Sequence, residues 1–248
     1  MKFLIPSYKR SDKQKALDYL TGMGYERSEI YISTQTQDDY DIYKRLYSDR
    51  ANVIFRPGHN YPFNVNTLLL TLQQGEKAIL LDDDIQLISL YRKPDAGQKH
   101  GTLQPITTRT ELDRLFDYMF RTAQANDCPV FAASHLTNLL FIESSNEKGP
   151  LAINRKLGGG LMGIVRNETL FDEDFDSKND HDYALQQAAN GHNYCVFNAV
   201  ILKRDDHQAG GCHDVHANGE EVAAQKLIAK WPFWVKHAKQ WGEVRIRV

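Results

Sequence analysis

A hydrophobic run that ends in three consecutive acids constrains the fold of this chain most. Residues 77–81, KAILL, have the pattern of a buried β-strand, and Asp82, Asp83 and Asp84 follow them directly. In a parallel sheet these carboxylates would emerge at the carboxyl ends of the strands, where open α/β folds bind their ligands. The sequence therefore predicts an α/β fold with an acidic site at one edge of its sheet.

The residues before this strand alternate β-type runs with helical patterns, as βαβ units do. Predicted strands cover residues 2–6, 30–33 and 52–55. A Ser11/Gln14 capping box opens the first predicted helix, and further helices are expected at residues 38–47 and 64–74. This order predicts a Rossmann-like, mostly parallel central sheet with flanking helices.

The pattern changes after the acidic triplet. Residues 92–105 are polar and irregular, and a Thr108/Glu111 capping box then opens a helix that reaches residue 125. Strands are expected at residues 130–134, 139–143 and 195–202, with a strand on each side of Gly158-Gly159-Gly160. Two more helices are expected, at residues 182–189 and 220–236.

Composition favours a single globular domain. The chain has 248 residues, 42% of them hydrophobic and 25% charged, and a net charge of −2, which argues against a general nucleic-acid binder. Cys128, Cys195 and Cys212 lie far apart, which favours reduced thiols over disulfides or a zinc site. With no signal-peptide pattern and no membrane span in the sequence, we expect a cytoplasmic protein.

Three adjacent carboxylates repel one another unless a cation offsets their charge. A hard divalent ion with oxygen ligands does so, and an ion that also held a diphosphate would neutralise charge on a leaving nucleotide. Because side chains alternate along an extended strand end, Asp82 and Asp84 are expected to face the metal together. The alternative is a solvated acidic turn.

Several stretches carry a resemblance to a known class. A D-x-D strand end after a βαβ region, with IPSYKR, STQTQDD, RPGHNYPFNVNTLL, GGGLMGIVRN and DHDYALQQAANG in that order, resembles the GT-A glycosyltransferases. The combination of IPSYKR, NVIFRPG, GEKAILLDDDI and GGGLMGIVRN is similar to the bacteriophage TET-associated glycosyltransferases, which modify 5-hydroxymethylcytosine in DNA.

This resemblance implies the activity and its cofactors. It implies transfer of a sugar from a UDP-sugar donor, with Mn²⁺ or Mg²⁺, to the hydroxyl of 5-hydroxymethylcytosine in phage DNA. Residues 1–90 would form the nucleotide-sugar half of the domain, residues 91–218 the acceptor half, and residues 219–248 a C-terminal helix and tail. A saccharide or other small hydroxyl acceptor stays open, as does a non-catalytic module that binds a nucleotide sugar or DNA.

The resemblance also implies a donor site. Arginine can pair with phosphate, and a strand-to-helix turn exposes backbone N–H groups to an anion. For most of these residues an ordinary surface or capping role is the alternative, and Asp38 competes with Asp39 for the base or ribose. The implied donor-binding residues are Pro6, Ser7, Tyr8, Arg10, Asp39, Arg56, Asn64, Asp82, Asp83, Gly159 and Gly160.

The catalytic and metal residues follow from the same resemblance. Asp180 and Asp182 match an acidic pair at a helix start, where one carboxylate takes the proton of the acceptor hydroxyl; helix capping is the alternative for Asp180. The metal ligands would be Asp82 and Asp84 with a histidine after the last strand, His207 first and His213 second.

The C-terminal stretch from Lys226 is rich in cations and carries Trp231, Trp234 and Trp241. It forms either a last helix that packs its aromatic side chains on the core or a face that binds DNA. Nucleotidylyltransferases and phosphatases also group aspartates at strand ends, but the sequence lacks the G-x-G loop of the former and the D-x-D-x-[TV] pattern of the latter.

Overall fold

The N-terminal half alternates strands and helices as the sequence predicts. The computed structural model describes residues 1–204, 216–238 and 243–248, and the strands predicted in this half are confirmed. The elements are β1 (Lys2–Pro6), α1 (Lys15–Gly22), β2 (Ile30–Thr34), α2 (Gln37–Tyr47), β3 (Asn52–Phe55), α3 (Tyr61–Leu69) and β4 (Lys77–Leu81).

The second half continues the same sheet and adds a small hairpin. Its first elements are β5 (Ile85–Arg92), β6 (Thr102–Pro105), α4 (Arg109–Ala125), β7 (Val130–Ser134), α5 (Leu139–Glu147) and β8 (Leu151–Ile153). They are followed by β9 (Leu161–Val165), α6 (Asn179–Ala189), β10 (Tyr194–Arg204), α7 (His216–Lys230), β11 (Val235–His237) and β12 (Val244–Ile246).

A ten-stranded sheet crosses the described part of the chain in the order β3-β2-β1-β4-β9-β7-β10-β5-β6, with β8 also paired to β10. Of these strands, β1, β2, β3, β4, β6, β7 and β10 share one direction, and β5, β8 and β9 run against them. The predicted fold class, a mostly parallel α/β sheet flanked by helices, is confirmed.

The sheet separates two hydrophobic clusters. Phe3 and Ile5 of β1 belong to the cluster on one face, whereas Leu4 belongs to the cluster on the other face. The same alternation runs through β4, where Leu80 and Leu81 point to opposite clusters, because successive strand residues face opposite sides. The residues after Leu81 continue this alternation into the acidic triplet.

The strand predicted at residues 139–143 is wrong, because this segment is the first part of helix α5. Its apolar run, LLFIE, resembles a buried strand, but Leu140 and Phe141 are 60% and 64% exposed, whereas Ile142 is buried and Leu139 packs beside it. The side chain of Asn138 accepts a hydrogen bond from the backbone N–H of Leu140 and caps the helix. The cap at Asn138 therefore favours a helix over a strand in this segment.

Several helix starts also differ from the prediction. Helix α3 begins at Tyr61 rather than residue 64, because Asn60 caps it through the N–H of Phe63 and Pro62 lies in its first turn. Helix α1 begins at Lys15 without the expected capping box. Gln14 instead donates to the Ser7 hydroxyl at 2.8 Å.

Helices α6 and α7 begin at Asn179 and His216 rather than at residues 182 and 220, and the interior strand β5 was not predicted. The other differences lie at a sheet edge and at the C-terminus. Strand β6 lies within the stretch that the sequence left irregular, and all of its residues are exposed, so no hydrophobic alternation marks it. Helix α7 ends at Lys230 rather than near residue 236, because Pro232 cannot continue a helix. The expected tail contains the antiparallel hairpin β11–β12 instead.

Candidate active site

A cavity of about 740 Å³ lies at the carboxyl ends of β1, β2 and β4. Its walls come from the loop after β1, the start of α3, the acidic triplet, the glycine-rich loop and the start of α6. The predicted site residues that line it are Pro6, Ser7, Tyr8, Arg10, Asn64, Asp82, Asp83, Asp84, Gly159 and Asp180.

The aspartates of the triplet point in different directions. Asp82 accepts a hydrogen bond from the hydroxyl of Tyr61, on the α3 side of the sheet, at 3.1 Å. Asp83 turns to the opposite face, where it accepts from the hydroxyl of Ser7 and from Arg10. Successive side chains of β4 point to opposite faces of the sheet, and Asp82 and Asp83 continue this alternation beyond the end of the strand.

Asp83 belongs to a buried polar network. The hydroxyls of Ser7 and Tyr43 lie 2.8 Å apart, and Gln14 donates to Ser7. Arg10 binds Asp83 at 2.9 Å and approaches Asp84 at 3.6 Å. Asp83 therefore links the loop after β1 to the end of β4, because its carboxylate binds Ser7 and Arg10 of that loop.

The negative charge of the triplet is only partly offset by protein groups. Burial raises the pKa of Asp82, and the charge of Asp83 raises it further, against the opposing effects of Arg204 and Tyr61. Burial also raises the pKa of Asp83, against the hydrogen bonds from Ser7 and Arg10. Both carboxylates are thus poorly stabilised as anions, which is the condition that a divalent cation relieves.

The donor set at this edge fits a hard divalent ion. Asp82 and Asp84 both line the cavity and supply carboxylate oxygens. Among residues 1–204, 216–238 and 243–248, no group of three His, Cys, Asp or Glu side chains is arranged to hold a metal ion. The predicted histidine ligands, His207 and His213, lie outside the described residues.

Gly159 and Gly160 lie between the triplet and helix α6. A Cβ built on Gly159 would be 3.8 Å from Oδ2 of Asp180, and one built on Gly160 would be 3.8 Å from Oδ2 of Asp82. Gly160 does not itself line the cavity, and its φ of +104° favours glycine. Adjacent glycines thus bring the backbone close to an acid on each side.

Asp180 is held as a carboxylate in the first turn of α6. Its Oδ1 accepts from the backbone N–H of His181 at 2.8 Å, and Nδ1 of the same residue lies 3.0 Å away. Burial opposes ionisation, but His181 and then Lys156 outweigh it and lower the pKa of Asp180. The N-cap position belongs to Lys178, with a φ of +57°, so Asp180 is not the helix cap.

Asp182 does not line the cavity. It is fully buried, and its carboxylate accepts from Trp231 Nε1 at 2.8 Å and pairs with Lys230 Nζ at 2.9 Å. Gln186 also donates to it at 2.8 Å. These partners fasten α6 to the end of α7, and the structure separates Asp182 from Asp180.

Two predicted donor residues also lie away from the cavity lining. Asp39 is buried in the first turn of α2, where its backbone N–H donates to the cap residue Thr36. Arg56 stacks over the ring of Phe63 at 4.1 Å and approaches Glu173 at 3.9 Å. Neither side chain meets the triplet in this structure.

Several cavity residues are not among the predicted site residues. Gln35 and Tyr61 line the wall beside β2 and α3, and His135 with Lys156 lines the wall beside Asp180. Burial lowers the pKa of His135, and the charge of Lys156 lowers it further, so this imidazole stays neutral. Gln35 and His135 each directly follow a strand, and residues at this position in an α/β sheet tend to line the ligand site.

The fold resembles that of a solved mannosyltransferase. No family profile and no curated protein matches the chain. A mannosyltransferase from Pyrobaculum calidifontis, solved with GDP-Man and Mn²⁺, superposes with a TM-score of 0.54 at 14% identity, over 92% of this chain. The match covers 61% of that protein, so this chain spans about three fifths of its length.

Two further solved structures are more distant. GalNAc-T7 with UDP, GalNAc and Mn²⁺ gives a TM-score of 0.48 at 10% identity, over 93% of this chain and 48% of that one. A UDP-glucose pyrophosphorylase with UDP-glucose gives 0.41 at 11%, over 83% and 92%. The match to the mannosyltransferase shows the class of fold alone, a GT-A-like α/β domain. No described helix is long and apolar enough to cross a membrane.

Proposed function

We propose that this protein is a metal-dependent glycosyltransferase that uses a UDP-sugar donor. The observation that carries the proposal is the pairing of two acidic centres across one cavity. The triplet after β4 lies on one side of Gly159-Gly160, and Asp180 lies on the other. A donor diphosphate beside the triplet would place its sugar over the glycines, where a side chain would obstruct it.

The donor would bind along the loop after β1. Arg10 offers its guanidinium to phosphate, and Asn64 is held by donating to the backbone carbonyl of Ser7 at 3.1 Å. The buried Oδ1 of Asn64 has no hydrogen-bond partner among the described residues, and Asn64 lines the cavity, so a sugar or ribose hydroxyl that reached this atom would satisfy it. Pro6 and Tyr8 complete this wall.

Asp82 and Asp84 would hold Mn²⁺ or Mg²⁺, with His207 or His213 as a further ligand. Strand β10 ends at Arg204, whose charge acts on Asp82, and both histidines follow this residue in the sequence. When bound, the ion supplies charge stabilisation to the diphosphate as it leaves. Asp83 keeps its place through Ser7 and Arg10 and positions the loop.

Asp180 would act as the general base in a direct displacement. The acceptor oxygen forms a bond to the anomeric carbon, the bond from that carbon to the diphosphate oxygen breaks, and the acceptor proton passes to Asp180. The lowered pKa keeps this carboxylate ionised and able to accept a hydrogen bond from the hydroxyl at neutral pH. The neutral His135 lines the same wall.

UDP release from a panel of UDP-sugars, with and without Mn²⁺, tests this assignment. Loss of a general base typically costs 10²- to 10⁴-fold in rate, so Asp180→Ala is expected to fall in that range. Asp84→Ala is expected to lose the Mn²⁺ dependence. Turnover at the wild-type rate in both variants would refute the site assignment.

The acceptor we propose is the hydroxyl of 5-hydroxymethylcytosine in DNA. The motifs IPSYKR, NVIFRPG, GEKAILLDDDI and GGGLMGIVRN support this choice. Incubation with UDP-sugars and DNA that contains either hydroxymethylcytosine or cytosine, followed by digestion and mass spectrometry of nucleosides, tests it. A glycosylated nucleoside from the first DNA alone is expected. Transfer to saccharides in place of DNA would assign the enzyme a different acceptor.

A further inference from the structure

The C-terminal hairpin β11–β12 separates its residues into an inner and an outer face. Val235 and Val244 are buried and belong to a cluster with residues of α6 and α7. Lys236 and Arg245 are exposed and directly opposite each other in the pairing register. Arg247 is exposed too and directly follows β12, two residues after Arg245, and its backbone N–H donates to the carbonyl of Trp234 at 2.9 Å.

The cations of this outer face differ from those of α7. Lys230 pairs with Asp172 and Asp182, and Lys226 donates to the backbone carbonyl of Asp174, so the helix cations have partners within the protein. For Lys236, Arg245 and Arg247 the described part of the chain supplies no carboxylate partner. Like charges directly opposite in an antiparallel pair are destabilising, which a bound polyanion would offset.

The aromatic side chains of the stretch are divided in a similar way. Trp231 and Trp234 stack with ring centroids 5.5 Å apart and pack on the cluster beneath the hairpin, so neither serves as an open platform. Phe233 lies between these two residues in the sequence, and its side chain is 91% exposed. An exposed aromatic ring beside cations is the combination that binds a base and its phosphates.

The hairpin borders the candidate active site. Glu243, the residue before β12, lines the cavity and pairs with Lys156 at 3.1 Å. That lysine lies on the loop between β8 and β9 and lowers the pKa of Asp180. A long acceptor held on the hairpin would therefore lie close to a residue of the cavity lining.

We infer that Phe233, Lys236, Arg245 and Arg247 form a nucleic-acid docking surface that holds the DNA strand while its target base enters the cavity. This inference rests on the proposed DNA acceptor and specifies how that acceptor is held. The surface binds phosphates and one unpaired base without regard to sequence, whereas the cavity selects the hydroxyl. The net charge of −2 confines such binding to a local patch.

Binding of a fluorescent hydroxymethylcytosine oligonucleotide at several salt concentrations tests the surface without requiring turnover. In K236Q/R245Q/R247Q the dissociation constant at about 0.1 M salt is expected to rise at least tenfold. For duplex DNA, the slope of the logarithm of the binding constant against the logarithm of the salt concentration is expected to fall in magnitude by up to about 2.7, or 0.9 per phosphate contact. Phe233→Ala is expected to weaken single-stranded binding about tenfold. Melting temperatures check that the variants are folded.

A matched variant controls for net charge. R45Q/R121Q/K148Q removes the same charge from exposed positions on α2, α4 and the end of α5, and is expected to bind DNA like the wild type. Equal losses in both triple variants, or none in the hairpin variant, would overturn the inference. Wild-type protein that binds phosphatidylserine vesicles but not DNA would overturn it in favour of a membrane.

The two proposals fail in distinguishable ways. DNA binding that depends on the hairpin, without any glycosylated nucleoside, leaves the surface in place and rejects the proposed reaction. Glycosylated DNA formed with equal efficiency by the wild type and the hairpin variant leaves the reaction in place and rejects the surface.

Discussion

Two aspartates, two positions apart on α6, show how surroundings divide residues of one type between different roles. Asp180 borders the cavity and is kept ionised by His181 and Lys156. Asp182 is fully enclosed by Lys230, Trp231 and Gln186. Helix positions two apart differ by about 200° in direction, so two neighbouring acids of one motif face different parts of the molecule.

Replacing Asp182 is expected to reduce stability more than chemistry. Asp182→Asn leaves Lys230 with one partner and weakens the hydrogen bond from Trp231, which we expect to lower the free energy of unfolding by about 2–3 kcal/mol. Urea denaturation measures the loss. Asp174→Asn, at an exposed position nearby, is the control and is expected to change little. A fully stable Asp182→Asn protein would show that these contacts do not fasten α6 to α7.

The sequence predicted the triplet and the acidic pair but not which acid faces the cavity. The hydrophobic strand before Asp82 sufficed to place the triplet at a sheet edge. Two of the partners of Asp182, Lys230 and Trp231, lie 48 and 49 residues further along the chain, at the end of α7 and directly after it, and no local pattern predicts these contacts. Tyr61, His135 and Lys156 likewise reach the cavity through the packing of segments that are distant in the sequence.

At the scale of elements, local capping signals were reliable where both partners were present. The Thr108 side chain caps α4, and its hydroxyl donates to Glu111 at 3.0 Å. That hydrogen bond is the largest cause of the lowered pKa of Glu111, and a second bond comes from the backbone N–H of Thr107. By contrast, the side chain of Gln14 donates to the hydroxyl of Ser7 beside the cavity, and the capping box predicted for Ser11 and Gln14 does not form.

Thr108→Ala is expected to lower the free energy of unfolding by about 1 kcal/mol, because it removes the hydroxyl that accepts from the backbone N–H of Glu111 and donates to its carboxylate. Since Glu111 has a lowered pKa in the folded state, its contribution is present above its ordinary value of 4.5 and is lost as the pH falls through the folded value. The effect of the substitution should therefore shrink in strong acid. Urea titrations at pH 7 and pH 3 measure it.

The conservative substitution Thr108→Ser keeps a hydroxyl at the cap and is expected to stay close to the wild type at both pH values. An equal loss in the serine and alanine variants would show that the methyl group, rather than the cap, stabilises this helix. An alanine effect that does not change between pH 7 and pH 3 would contradict the contribution assigned to Glu111.

Edge elements were predicted poorly because their stability comes from neighbours. Strand β6 is exposed throughout and exists as the partner of β5, and the hairpin β11–β12 rests on the apolar cluster of α6 and α7. Segments of this kind carry neither alternation nor caps. The central strands β1, β2, β4 and β7 are buried over most of their length, so their hydrophobic runs identify them directly.

At the scale of the whole molecule, the candidate site is assembled from segments far apart in the chain. The loop after β1, the triplet after β4, the glycine-rich loop and the first turn of α6 all meet at one sheet edge. The sheet is continuous across both halves of the chain, with β9 joining β4 to β7. Donor and metal binding at this edge should therefore stabilise the entire domain.

Adding UDP and Mn²⁺ together is expected to raise the melting temperature. A ligand at 100 times its dissociation constant contributes about 2.7 kcal/mol, which for a domain of this size corresponds to about 5–10 °C. Thermal melts with Mn²⁺ alone, UDP alone and both measure the shift. Because Asp84 is proposed to hold the ion that bridges to the diphosphate, Asp84→Ala should lose most of the joint shift and keep any shift from UDP alone. Asp49→Ala, at an exposed position beyond α2, should retain the full shift, and equal shifts in both variants would place the metal and diphosphate away from the triplet.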